Sequence, residues 1–154
     1  MITWKPLMTF AEVEEYSKGS YYQGEDFYHG TSLEFAQSIV TQGARWQSGS
    51  ENTYGDGFYL TRSLDIAKEY ALQISNSTVL TARVKVAQPR VFGDSLDFYG
   101  FLDSIDAPFD KYQAEFISQF LIRKGYDAIE IMGIRSIVII LNHQQIAFFN
   151  LEVV

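Results

Sequence analysis

The spacing of apolar positions changes several times along the chain, and each change marks an element. Leu33, Ala36, Ile39 and Val40 recur on one helical face, Thr31 and Glu34 have capping-box spacing at its start, and Gly43 supplies the stop. The same box, Thr9-Phe10-Ala11-Glu12, opens a shorter helix that ends near Gly19. Between the two, the run from Asp26 to His29 reads as the first core strand, giving a strand, a sharp turn and a helix. The stretch from Arg45 to Asp56 is rich in Ser, Gly and Asn without periodicity, which predicts an exposed loop beside that strand. Phe58-Tyr59-Leu60-Thr61 is a second short strand, after which Ser63 caps a helix whose Leu64, Ala67, Ala71 and Ile74 share a face around Tyr70.

The second half is richer in strands. Residues Thr78 to Val86 alternate, with Val79, Thr81, Arg83 and Lys85 on one side and Leu80, Ala82, Val84 and Val86 on the other; Pro89 ends that strand or marks an edge. Val91 to Pro108 is irregular, aromatic and acidic, and reads as a long connection. Asp110 to Lys124 is the clearest helix, with Tyr112, Phe116, Phe120 and Leu121 as its buried stripe and Gly125 as its stop. Three strands follow, Ala128-Ile131, Ile137-Leu141 and Ile146-Val154, the last two joined by Asn142-His143-Gln144-Gln145. No repeat and no interdomain linker interrupts residues 1–154, so one α+β domain with a mainly antiparallel, strongly apolar sheet is expected.

Composition narrows the chemistry. With 154 residues, 47% of them hydrophobic, the chain can bury one core. A net charge of −7 argues against affinity built on neutralising phosphates, which needs clustered lysine and arginine, so a protein partner is expected in preference to nucleic acid. Cysteine is absent, which removes disulfides, thiolate catalysis and zinc–thiolate sites. The start Met1-Ile2-Thr3-Trp4-Lys5-Pro6 lacks the features of a secretory signal, and no apolar run approaches the roughly 20 residues that span a bilayer. A cytoplasmic protein without membrane contact is the expectation. Ten tyrosines and twelve phenylalanines read first as core filler.

Motifs remove further classes. The two histidines, His29 and His143, have no carboxylate at a helical spacing that would build a metal site, so no metal is expected. No serine lies in a G-x-S-x-G elbow, and Gly55-Asp56-Gly57 precedes a strand where a phosphate loop would precede a helix. What remains is Phe27-Tyr28-His29-Gly30-Thr31-Ser32, followed some thirty residues later by Gly57-Phe58-Tyr59-Leu60-Thr61 and then Tyr70. A histidine ending an apolar run, a glycine that lets a ligand approach the backbone, and two tyrosines from a strand and the next helix together point to a pocket for a nicotinamide dinucleotide. Taken singly, His29 also reads as a buried histidine bonded to backbone, and Tyr59 and Tyr70 as core aromatics.

These segments, with Ala67-Lys68-Glu69-Tyr70 and the late Leu141-Asn142-His143-Gln144-Gln145-Ile146, resemble the ADP-ribosyltransferase superfamily. The nearest match is its His-Tyr-Glu branch, which includes diphtheria toxin and the poly(ADP-ribose) polymerases. The resemblance runs from about Phe27 to the C-terminus. It implies a split antiparallel sheet with flanking helices and NAD as the substrate. It also implies that His29 bonds the adenosine ribose, that the Gly30 backbone holds the nicotinamide amide, and that Thr31 supports the turn. Tyr59 would line the nicotinamide pocket and Tyr70 would stack on its cationic ring. The branch places a catalytic glutamate at the start of the penultimate strand; here an ungapped match puts Ile137 there, or Ser136 with a slip of one, and Glu130 is the nearest upstream carboxylate. Glu130 is thus the catalytic candidate beside Tyr59, with a solvent-facing strand position as its other reading. Ala67 also departs, standing where the polymerases carry a serine.

The resemblance implies a mono-ADP-ribosyltransferase that modifies a macromolecular acceptor, in the manner of toxins and of phage or mobile-element effectors. Two other readings stay open. One is a degenerate module that binds NAD or ADP-ribose without turnover, for which a cleft blocked by Trp46 would speak. The other is an acidic interaction module that inhibits a partner, its acidic face mimicking nucleic acid, with one patch built from Glu12, Glu14, Glu15, Asp94, Asp97, Asp103, Asp106 and Asp110.

Overall fold

The computed structural model describes residues 2–47, 52–133 and 135–154. Among these residues seven strands form one open sheet, and five α-helices cover it, an α+β fold. The strands are β1 (Phe27–Ser32), β2 (Phe58–Thr61), β3 (Ser77–Val84), β4 (Pro89–Phe92), β5 (Ala128–Ile131), β6 (Ile137–Ile140) and β7 (Ile146–Val153). Their order in the sheet is β4-β5-β6-β2-β1-β3-β7. Every pair is antiparallel except β4 with β5, so the sheet is mixed. Strand β4 starts at Pro89, read from the sequence as a strand end or an edge, and takes in Val91 and Phe92, the first residues of the segment expected to be a long connection.

The helices are α1 (Phe10–Tyr16), α2 (Leu33–Gln42), α3 (Leu64–Leu72), α4 (Ser95–Ser104) and α5 (Gln113–Arg123). Thr9 makes both arms of its capping box with Glu12. Helix α2 starts one residue later than its pattern implies. Strand β1 runs on through Thr31, which pairs with Thr78, and Ser32 becomes the cap by accepting from the Phe35 amide. The sharp turn after His29 is therefore absent. Helix α4 was not visible as a helix, because its buried pair Phe98 and Leu102 is embedded among exposed Leu96 and Tyr99 and broken by Gly100. Helix α5 buries Ala114, Ile117, Ser118 and Leu121, whereas Tyr112 of the expected stripe is 57% exposed.

Strand alternation sorts the core onto two faces. Phe27, Phe58, Leu60, Leu80, Val138, Ile140 and Phe148 form one, closed by Ala36, Ile39 and Val40 of α2. On the other, Ile129, Ile131 and Ile139 meet Phe98, Leu102, Ile117 and Leu121 from α4 and α5. Also on this second face, Tyr28 and Val79 meet Ala67 and Ala71 of α3. The helices of the second face thus fall into two groups, one over β4, β5 and β6 and the other over β1 and β3. Between them the β1–β2 ladder has a single register pair, Tyr28 with Thr61. An opening in the sheet lies directly below an uncovered strip of its face.

Candidate functional site

A cleft of about 630 Å³ occupies that strip, within the size range of small-molecule sites. Tyr28, His29 and Gly30 reach it from β1, Tyr59 and Thr61 from β2, and Ala67, Tyr70, Gln73 and Ile74 from α3 and the turn after it. Thr53 and Tyr54, from the loop before β2, and Arg135 and Ile137, at and before the start of β6, complete the lining. Four of the residues singled out in the sequence, His29, Gly30, Tyr59 and Tyr70, therefore converge. Two do not. Thr31 is buried within β1 and is not among the lining residues, because the strand continues past the expected turn. Glu130 lies on the other face of the sheet.

His29 spans the opening between β1 and β2. By alternation it belongs to the face of Phe58, whose ring lies 4.4 Å from the imidazole centroid to centroid. Its Nδ1 is 2.9 Å from the Tyr59 carbonyl oxygen. A carbonyl only accepts, so Nδ1 carries the proton and Nε2 of the neutral ring keeps a lone pair. Burial holds the His29 pKa below the ordinary histidine value, partly opposed by the bond to Tyr59. The ring is neutral at physiological pH. Nε2 makes no hydrogen bond with a described residue, and His29 is among the residues lining the cleft.

Gly30 is required by packing. A Cβ built there would stand 2.0 Å from the Ala67 carbonyl oxygen, so what approaches the strand backbone so closely is helix α3. Ala67 is correspondingly fully buried. Gly57 plays the same part beneath β2, where a Cβ would meet Ile139 Cγ2 at 2.5 Å and the Ile140 carbonyl at 2.6 Å. Both glycines of the paired motifs thus bring backbones together, and the small residues Gly30 and Ala67 keep α3 low against the sheet at the cleft's edge.

The tyrosine hydroxyls are already committed. Tyr59 Oη accepts from the Tyr54 amide at 3.0 Å and donates to the Gly55 carbonyl at 2.7 Å. Burial raises its pKa well above the ordinary phenol. What Tyr59 offers a ligand is its ring, while its hydroxyl anchors the loop that carries Tyr54. Tyr54 in turn rests edge-on against Phe98 at 5.0 Å. On α3, Tyr70 is 46% exposed and accepts from Arg135 Nη1 at 2.9 Å, with the guanidinium carbon 5.4 Å from its ring centroid. The tyrosine expected to stack on a ligand carries a cation from the protein itself.

Glu130 is 4% exposed, which overturns the solvent-facing reading. Cross-strand pairs align Glu130 with Val138 and Leu60, whereas Tyr59 aligns with Ile139 and Ile129 on the opposite face. Tyr22 Oη donates to Glu130 Oε1 at 2.6 Å, and the guanidinium of Arg62 binds Oε2. Arg62 also reaches Glu25 at 3.1 Å. Burial and the bond to Glu130 both raise the Tyr22 pKa. These contacts tie the segment before β1 to β5 and to the end of β2. Ile137, at the position matched to the family glutamate, does line the cleft, so that position is apolar. Among the described lining residues no carboxylate is present.

Tyr54 and Arg135 are among the lining residues that the sequence did not mark as ligands. Tyr54 sits in an aperiodic loop, and Arg135 falls in the short connection just before β6, which begins at Ile137 as its apolar run implies. Trp46 does not block the cleft; it borders a separate cavity with Asp56, Glu115 and Ser118. Nor do the acidic residues share one surface, since α1 packs on β7 and α4 on β4, at opposite edges of the sheet. Among the described residues, no three His, Asp or Glu side chains converge as a metal site, and no helix is long and apolar enough to cross a membrane. No protein-family model and no curated protein matches the chain.

Proposed function

We propose that the cleft binds NAD and that the chain is a mono-ADP-ribosyltransferase acting on a macromolecular acceptor, with a protein acceptor favoured. The observation that carries this reading is the convergence of His29, Tyr59 and Tyr70, from three separate elements, on one cleft at the β1–β2 opening. His29 Nε2 would accept from a ribose hydroxyl, and the Tyr59 ring would wall the nicotinamide end. Breaking the bond between nicotinamide and ribose builds positive charge on the sugar, the nicotinamide leaves neutral, and the acceptor's nucleophile bonds the same carbon while losing its proton. Holding the ring twisted and away from water lowers that barrier. With Ile137 where the family brings a glutamate, electrostatic support for the charged sugar is missing, and transfer is expected to be slow. Glu130 has no part in it. By analogy with free-standing domains of this type, the role would be that of a toxin or a mobile-element effector.

A second reading, a module that holds NAD or ADP-ribose without turnover, is favoured by one observation: Arg135 is the permanently charged side chain among the described lining residues. Incubation with labelled NAD and cell lysate separates the two. The transferase reading expects an acceptor labelled by wild type and by Glu130→Gln, and not by His29→Ala or Tyr59→Ala. Nucleotide binding without labelling selects the module. Neither labelling nor binding removes both.

A further inference from the structure

We infer that Arg135 sets the charge preference of the cleft, so that it holds ADP-ribose and other nucleotides lacking a positive ring more tightly than NAD in its oxidised, cationic form. The inference rests on the nucleotide reading of the cleft that both functional readings share. Its basis is the place of one guanidinium. Arg135 bonds the Tyr70 hydroxyl at 2.9 Å and packs on the Tyr70 ring at 5.4 Å, while both side chains line the cleft.

A pyridinium ring brought against Tyr70 meets that cation in two ways. Arg135 competes for the negative face of the ring, since a cation gains from an aromatic quadrupole only when it occupies the face. It also repels a second positive charge a few ångströms away, in a cleft whose described lining includes no carboxylate to offset it. Among the described residues Arg135 forms no salt bridge. For an anion the same placement is favourable, because the planar fork of a guanidinium matches phosphate oxygens and Arg135 is an exposed residue of the cleft lining. The surrounding protein is acidic, with a net charge of −7, so this local positive site departs from the molecule's overall field. The exposed Tyr70–Arg135 pair needs no core rearrangement to accept a ligand, since both side chains are at the surface.

NAD⁺ and NADH differ chiefly in the charge of the nicotinamide ring, which makes the test possible without altering the protein. Calorimetric titration of wild type with NAD⁺, NADH and ADP-ribose is expected to rank ADP-ribose and NADH above NAD⁺ by on the order of tenfold. The gap should shrink as salt is added, because the site is exposed. In Arg135→Met, which keeps the apolar stem over Tyr70 and removes the charge, ADP-ribose and NADH should lose more affinity than NAD⁺, bringing the three within about threefold of one another. Equal affinities in wild type, or a ranking that Arg135→Met leaves unchanged, would overturn the inference while leaving nucleotide binding intact. Failure of all three to bind overturns the nucleotide reading and the inference together.

Discussion

His29 is the residue whose protonation the fold controls. Its imidazole donates from Nδ1 to the Tyr59 carbonyl, and burial keeps its pKa below the ordinary value. Below about pH 6.5 the unfolded chain takes up a proton at this position before the folded chain does. Stability from this group is therefore complete above that pH and declines as pH falls toward the depressed folded value. His143 is shifted in the same direction, by burial and by Arg45, and contributes to the same slope. Urea denaturation at pH 7.5 and pH 5 should show a smaller pH-dependent loss in His29→Gln than in wild type; an unchanged loss would assign the slope elsewhere. Gly30 makes a second prediction at this scale. Because its Cβ would lie 2.0 Å from the Ala67 carbonyl oxygen, Gly30→Ala should cost about 3 kcal/mol or more, read from the shift in urea midpoint. A neutral result would mean that α3 does not pack as low as described. The glycine was legible in the sequence as a place of close approach. What the sequence could not say was that helix α3 makes so close an approach, on a residue that also lines the cleft.

At the level of elements, the readable signals were those with one dominant cause. Strand β2 falls on Phe58–Thr61, the residues its apolar run marks, and α3 starts after Ser63 as its cap implies. Where two causes competed, the weaker pattern misled. Thr31 and Ser32 both offer a cap, and β1 pairing with β3 through Ser32 decides for the latter. Aromatic residues on α4 and α5 blurred the stripe, since Phe98 is buried while Tyr99 beside it is 46% exposed. Glu130 failed for a related reason. Alternation on β5 shows that it opposes its isoleucine neighbours, yet helices or strands cover both faces, so alternation alone does not say what it meets. Its partners Tyr22 and Arg62 come from distant segments. Removing a buried carboxylate leaves those partners unsatisfied, so Glu130→Ala should lower stability by about 2 kcal/mol in thermal or urea unfolding. Nucleotide affinity of the folded fraction should not change. A loss of affinity without loss of stability would return Glu130 to the site.

Across the whole molecule, the cleft follows from how the helices divide over one face of the sheet. Helix α3 covers β1 and β3 through alanines, α4 and α5 cover β5 and β6 through Ile, Leu and Phe, and the strip between them lies over the one-pair β1–β2 ladder. A second cavity, of about 520 Å³, lies elsewhere, bordered by Lys18, Lys85, Tyr126 and Asp127. It shares no lining residue with the cleft and provides an internal control for where a nucleotide goes. The chain has two histidines, one in the cleft and one apart, where His143 meets the edge of Trp4. The most direct test is therefore a nitrogen-15 NMR titration of both imidazoles with ADP-ribose. The account predicts that free His29 is protonated at Nδ1, that its Nε2 resonance moves on binding, and that His143 stays still. A His29 signal unmoved at saturating ADP-ribose would contradict it.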